Sequence, residues 1–505
     1  MPADNLPAES DSEPESSQAD NLPAEPEPES EPETSQSSQT SDPKSSRFMS
    51  TDWAVAGSLV LACLSTGMWA VPQIQNAQQL QNGSDSSYSV PVASAVVTPS
   101  ASELLNSGDL DSQLNEIASS FSAGNISGIV ADATSGEVLY SRNADKPRVP
   151  ASNFKILTDY TLMRHSNSAD RYITSVTQKD TTLTLLAGGD TLLSTGKSDD
   201  SLVVGRAGLR TLAEETIGSL KDSEEKKFTL NLDTSLYSGP AINSAWAQED
   251  IDAGFVNNVA PLAFYSHYSP GENGRATSTR PTDPAGQVHK ALLADLNKLG
   301  ADKGLTFTLG EKKESDDDAA AIGAVESATV SEQAAYMMQE SDNMLAEVLG
   351  RNAAIAAGEE GSEQSAKDLV RRTLEADGIS VEGLNQVDLC GLSLENKVKP
   401  QTLLEITRAV VTGENGADTS LAGFPIAGGS GTLENRFDND TEAAARGYAR
   451  AKTGTLNKVI ALTGYTERDN GQVLIYSFIT NDVSDTSAAK NTVDRSVAVV
   501  THQTD

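Results

Sequence analysis

A run of twenty residues without a charged side chain, Trp53 to Pro72, divides the chain into parts that cannot share one core. At about 1.5 Å rise per residue, a helix of that length spans about 30 Å, the hydrocarbon thickness of a bilayer. Trp53 and Trp69 stand near its ends, where interfacial aromatics are favoured. Lys44 and Arg47 precede it, and no basic residue follows until Arg142. The positive-inside rule therefore predicts one transmembrane helix over 53–72, with a cytoplasmic N-terminus and everything downstream outside the cell. A cleaved signal peptide, which would release the protein, is the alternative, although a 48-residue leader is unusual for one. Residues 1–48 hold twelve acidic and two basic residues and almost nothing apolar to bury, so they are expected to form a disordered acidic tail. Residues 73–107, rich in Gln, Asn and Ser, read as a flexible tether.

Whatever builds a core must then lie in 108–505. Leu110, Leu114, Ile117 and Phe121 fall on one helical face. Two apolar runs flank Thr134-Ser135-Gly136, and Lys458–Tyr465 and Val473–Thr480 flank Asp469-Asn470-Gly471; both patterns predict hairpins. A closing amphipathic helix is expected over 487–502. Mixed strand and helix signals indicate an α+β protein.

Composition removes several kinds of chemistry. Lys and Arg number 37 against 72 Asp and Glu, a net charge of -35, so binding to nucleic acid is not expected. Two cysteines, Cys63 and Cys390, cannot build a disulfide scaffold or a CxxC metal site. The four histidines are scattered and no HExxH occurs, so a Ser-His-Asp triad has few bases to choose from. No metal or cofactor is expected, and nothing in the sequence speaks to oligomeric state.

With histidine scarce, the candidate is a serine nucleophile with a lysine base, which S-x-x-K places one turn apart on a helix. Five copies start at Ser41, Ser152, Ser194, Ser223 and Ser487. Only Ser152 follows a strand hairpin and opens an apolar helix, where free backbone N–H groups could bind an oxyanion. On its own, Ser152 reads as a helix cap. Two later motifs shift that balance: Ser341-Asp342-Asn343 between helical segments, and Lys452-Thr453-Gly454 on a strand ahead of the Asn470-Gly471 hairpin. The ordered set marks serine acyl-transferases of the penicillin-binding and β-lactamase group.

Over about residues 110–505 the chain resembles the D-alanyl-D-alanine carboxypeptidases/endopeptidases of the class C, type 4 penicillin-binding kind (peptidase S13), particularly actinobacterial members. PRVPASNFKILT, AGGDTLL, VESATVSEQAAYMMQESDNMLAEVLGR, DLCGLSLENKVKP, FPIAGGSGTLENRF and ARAKTGTLNKVIALTGY carry the resemblance. Thr191 stands where the family has proline, and Leu389-Cys390 where it has Gly-Ser. The resemblance implies a penicillin-binding catalytic domain in two stretches, 108–182 and 321–505, with an inserted smaller domain at 183–320.

It also implies roles. Ser152 is the nucleophile, Lys155 its general base, and Ser341 the relay to the leaving amine. Asn343 holds a substrate amide and the lysine. Lys452, Thr453, Gly454 and Thr455 bind the terminal carboxylate, and Arg436 is a more speculative candidate for a stem-peptide carboxylate, a structural ion pair in an acidic protein being the favoured reading. The N–H groups of Ser152 and Thr455 form the oxyanion hole. The expected substrates are peptidoglycan stem peptides ending in D-Ala-D-Ala, whose last residue is removed or whose cross-links are cut, and β-lactams are expected to acylate the same serine. The rivals are a β-lactamase or esterase on the same scaffold, and a non-catalytic wall-binding scaffold.

Overall fold

The computed structural model describes residues 107–502. The acidic tail, the apolar run with Cys63, and the tether apart from Ser107 lie outside the described residues. Among the described residues no helix is long and apolar enough to cross a membrane.

The chain enters on helix α1 (Ser107–Ser120), whose Leu110, Leu114 and Ile117 are buried as their spacing predicts. Strands β1 (Asn125–Asp132) and β2 (Val138–Arg142) form the first hairpin. Its turn is fixed by the Asp132 carboxylate, which accepts the Ser135 N–H at 2.7 Å, and by Gly136 at φ 73°. A short 3-10 turn, Ala151–Phe154, leads into α2 (Lys155–His165), which buries every residue from Lys155 to Met163 and so runs through the core rather than over it.

The next stretch builds a second layer: β3 (Arg171–Lys179), β4 (Thr182–Leu186), α3 (Leu209–Leu220), β5 (Lys227–Asp233), α4 (Pro284–Gly300), β6 (Thr306–Lys312) and β7 (Ala320–Thr329). The chain then returns through α5 (Val330–Glu340), α6 (Asn343–Ala356), α7 (Glu363–Ala376) and α8 (Pro400–Thr412). It closes with β8 (Arg450–Leu456), β9 (Val459–Glu467), β10 (Val473–Asn481) and α9 (Thr486–Thr501).

Two five-stranded sheets result. The first, ordered β2-β1-β10-β9-β8, is antiparallel throughout. Both faces are covered. Val130, Leu474, Tyr476 and Phe478 pack with Leu114 of α1 and Val493 and Val497 of α9. Ile129, Ala461, Ile475 and Ile479 pack with Phe154, Leu157, Leu345 and Leu403 from the helices on the other side. That double burial explains why β10 is an unbroken buried run, VLIYSFITN, rather than an alternating one. The second sheet, β6-β5-β4-β3-β7, is mixed: β4, β5 and β6 run parallel, and α3 and α4 bridge them. Leu212, Leu292 and Leu296 cover Leu183, Leu185, Leu230 and Leu232. This sheet runs from Arg171 to Thr329, so it draws strands from either side of the 183–320 stretch.

Strand β8, with Lys452-Thr453-Gly454, is the edge of the first sheet, and its register sets Lys452 opposite Thr463 of β9. Gly464 on β9 lies between β8 and β10, and a Cβ there would fall 1.9 Å from the Arg450 carbonyl oxygen. The obstacle is backbone, so it cannot rotate away. Gly464→Ala is therefore expected to cost about 3 kcal/mol, the upper end of ordinary overpacking, as a drop in urea midpoint at unchanged slope.

Candidate active site

The serine sits on a kink. Ala151 has φ 51°, a left-handed conformation that costs a non-glycine residue about 1 kcal/mol. Two close approaches hold it. A Cβ on Gly454 would lie 2.5 Å from the Pro150 carbonyl oxygen, and one on Gly391 would lie 2.1 Å from that of Ala151. Glycine at both positions lets β8 and the 388–393 loop press onto the turn. Ser152 lies within the 3-10 turn, and neither that turn nor α2 is capped by a side chain. The helix-cap alternative for Ser152 therefore falls.

Lys155 is the first residue of α2 and fully buried. Its Nζ lies 3.1 Å from Ser152 Oγ, 2.8 Å from Asn343 Oδ1 and 2.7 Å from the Cys390 carbonyl oxygen. All three partners are neutral. Burial lowers the lysine's pKa from its ordinary 10.5, with Asp388, Asp342 and Glu347 opposing from farther off.

The S-D-N segment is shaped by its own residues. Ser341 ends α5 in the left-handed region, at φ 58°. Asp342 caps α6, its carboxylate accepting the Leu345 N–H at 2.9 Å. Asn343 thus opens α6 with Oδ1 on Lys155 and Nδ2 donating to the Phe255 carbonyl at 3.3 Å. The second lysine, Lys452, is also fully buried. It donates to Ser341 Oγ at 2.9 Å and to the Thr453 carbonyl at 3.1 Å. Burial pushes its pKa well below 10.5, and a proton on the nearby Lys155 would lower it further. Thr453 Oγ1 donates to Thr432 Oγ1 at 2.8 Å, and Thr455 is partly exposed on the same edge strand.

Ser152, Lys155 and Asn343 thus form one hydrogen-bonded group, and Ser341, Lys452 and Thr453 another. The backbone of residues 341–343 joins them. A hydroxyl beside an amine that burial makes easier to deprotonate is the chemistry of an activated serine.

A family model described as the D-Ala-D-Ala carboxypeptidase 3 (S13) family matches residues 110–268 and 269–503. The chain belongs to this family. It is similar to Carboxypeptidase DacB of Mycolicibacterium smegmatis, 33% identical over 390 residues that cover 75% of this chain and 80% of that protein. It is also similar to a carboxypeptidase of Mycobacterium tuberculosis, 31% identical over 402 residues covering 78% and 83% of the two. Among solved structures, penicillin-binding protein 4 of Haemophilus influenzae shares the fold at TM-score 0.60 and 18% identity, covering 79% of this chain and 98% of that one. A second structure of that protein, complexed with a β-lactam, superposes at TM-score 0.53. The penicillin-binding fold inferred from the motifs is thus the fold observed.

Arg436 makes its contacts elsewhere. Its guanidinium forms a buried bidentate pair with Asp494 of α9, Nε to Oδ2 at 3.1 Å and Nη2 to Oδ1. Of the two readings of Arg436, these contacts support the structural ion pair, because the fork that would grip a ligand is filled by Asp494. Other contacts of the site escaped sequence reasoning. Three partners of the motif residues are the backbone carbonyls of Cys390 and Phe255, which carry no sequence signal, and Thr432, which lies in the quoted GGSGTLENRF block. The acids Glu347, Asp388 and Glu340 also escaped it. Glu340 stands near Lys452 with its pKa raised to about 7 by burial and by Asp342.

Glu347, Asp388 and Cys390 offer ligand atoms within 4.8 Å of one another. Glu347 Oε1 already accepts the N–H groups of Leu389 and Cys390, and each Asp388 oxygen already accepts two donors. The trio is a hydrogen-bonded knot, not an open ligand set. Burial raises the pKa of the Cys390 thiol well above its ordinary value, which disfavours the thiolate a nucleophile needs.

Two outcomes follow. Arg436→Ala leaves Asp494 buried and unpaired, and should destabilise the protein by about 3–5 kcal/mol in chemical denaturation. For Lys452, the folded state binds fewer protons than the unfolded state between the lowered pKa and 10.5, so its contribution to stability rises with pH across that window. The gain in urea midpoint from pH 7 to pH 9.5 should be smaller in Lys452→Met than in the parent.

Proposed function

We infer that this chain is a serine D,D-peptidase of peptidoglycan, a hydrolase acting on stem peptides ending in D-Ala-D-Ala. The observation that carries the reading is the 3.1 Å contact between Ser152 Oγ and the Nζ of a buried, neutral-partnered Lys155, in a chain of this family.

The geometry supports the following steps. Lys155, whose proton burial makes easier to lose, in its neutral form takes the Ser152 hydroxyl proton as Oγ attacks the carbonyl carbon of the penultimate D-Ala. The N–H groups of Ser152 and Thr455 receive the oxyanion, each at about 3–4 kcal/mol of barrier lowering. Lys452, with Thr453 and Thr455, holds the terminal carboxylate, and Gly454 lets the strand approach. The C–N bond breaks as Ser341 gives its proton to the leaving nitrogen, and the proton that Lys155 took from Ser152 passes on to restore the Ser341 hydroxyl, with Lys452 beside Ser341. D-Ala departs, and a water opens the Ser152 ester. If the leaving amine belongs to a neighbouring stem peptide, the same steps cut a cross-link. A β-lactam enters the first half of the cycle and stays as the ester. The homologue solved with a β-lactam bound supports this part of the reading.

We further propose that the apolar run at 53–72 anchors the chain in the cell membrane with the peptidase outside. The support is the length of that run and the Lys44 and Arg47 before it. Deleting 53–72 should move the protein from the membrane pellet to the soluble fraction; a soluble parent protein would sink the anchor.

The main test labels the protein with a fluorescent penicillin, maps the adduct by mass, and follows D-Ala release from a pentapeptide. A lasting adduct on Ser152, absent in Ser152→Ala, together with D-Ala release, is the expected result. Lys155→Arg should lose acylation by at least about a thousandfold, because a guanidinium stays charged and cannot accept the proton. Rapid drug turnover without an adduct would instead favour a β-lactamase. A folded protein with neither adduct nor turnover would leave a wall-binding scaffold.

A further inference from the structure

Resting on the serine-peptidase reading, we propose that Glu347 is a positioning residue for Lys155, acting through the 388–391 loop. Glu347 lies one turn beyond Asn343 on α6 and is fully buried. Its Oε1 accepts two consecutive backbone N–H groups, Leu389 at 2.9 Å and Cys390 at 3.1 Å. Arg351 steadies the carboxylate, with Nη1 3.3 Å from Oε2 and 3.0 Å from the Glu347 carbonyl oxygen.

In a trans peptide the N–H and C=O point in opposite directions. Holding the Cys390 N–H on Glu347 therefore aims the Leu389 carbonyl away from it, toward α2, where it accepts Thr158 Oγ1 at 2.6 Å. The next peptide is held in the same way. Asp388 Oδ1 takes the Gly391 N–H at 2.7 Å, and the Cys390 carbonyl points at Lys155 Nζ, 2.7 Å away. The loop thus grips α2 at Lys155 and again three residues on, at Thr158.

Lys155 Nζ has two oxygen partners besides the serine: Asn343 Oδ1 comes directly from α6, and the Cys390 carbonyl, whose own peptide Asp388 holds, belongs to the residue whose N–H Glu347 of α6 fixes. Helix α6 therefore sets where the amine sits relative to Ser152 Oγ. A buried carboxylate is a costly way to fill space. Its use here is that one of its oxygens can accept two adjacent amides at once.

The test compares Glu347→Ala and Glu347→Gln in the full chain. Single-turnover labelling with fluorescent penicillin separates the acylation rate constant from non-covalent affinity. Glu347→Ala should lower the rate constant by on the order of 10–100-fold, as a mispositioned base does, with little change in affinity. Glu347→Gln should recover most of the rate, because its amide oxygen accepts the same two N–H groups. Equal rates in Glu347→Ala and the parent would overturn the proposal, as would a Gln variant as slow as Ala. A readout independent of catalysis is the Lys155 Nζ resonance in [15N]lysine-labelled protein, assigned with Lys155→Arg. It should shift in Glu347→Ala and return in Glu347→Gln even if the parent takes up no penicillin, so failure of the clamp and failure of the peptidase reading are told apart.

Discussion

Two lysine side chains are buried within one site and held by neutral oxygens. An ammonium group removed from water without a carboxylate against it is unfavourable, and a second one nearby makes it worse. The lysines answer by giving up protons more readily than free amines do. Much of the surrounding architecture keeps water and counter-charges off them. Helix α2 is buried through the Lys155 end, β8 at Gly454 and the 388–393 loop at Gly391 press onto the serine turn, and the S-D-N bend brings α6 up to close the remaining side. Three of the nearby carboxylates accept backbone amides: Asp342 that of Leu345, Glu347 those of Leu389 and Cys390, and Asp388 those of Gly391 and Ser393.

The same choice explains why loops carry so much of the site. A carbonyl oxygen can stabilise a lysine's hydrogen-bonding direction without holding its charge as a carboxylate would. The Cys390 carbonyl and Asn343 Oδ1 do this for Lys155, and the Thr453 carbonyl does it for Lys452. Each must be aimed from behind, which calls for capped helices, left-handed residues and side chains that grip the backbone. Ala151 and Ser341, both at positive φ, are the two places where the chain bends sharply enough to deliver a serine hydroxyl next to a lysine.

Local pattern made part of this legible. Apolar spacing gave α1 and α2, an Asn-Gly turn gave the β9–β10 hairpin, and the three motifs gave Ser152, Lys155, Ser341, Asn343, Lys452 and Thr453, which the fold gathers into two linked groups. What stayed hidden is non-local or backbone. Arg436 and Asp494 are 58 residues apart, so nothing near Arg436 announces that its fork is filled. The second sheet takes β3 and β7 from the flanks of the stretch that the resemblance set apart, because strand pairing across such a distance leaves no periodic trace. Ser152 itself was read as opening a helix, whereas it occupies a 3-10 turn one residue after a left-handed alanine. That geometry comes from close packing of Gly391 and Gly454, which sequence spacing does not encode.

The thiol of Cys390 is fully buried in the very loop whose carbonyl holds Lys155. It can meet a water-soluble alkylating reagent only when that loop lifts from α2. The rate at which Cys390 is modified is thus a clock for how often the site comes apart, one built into the chain and read without a substrate.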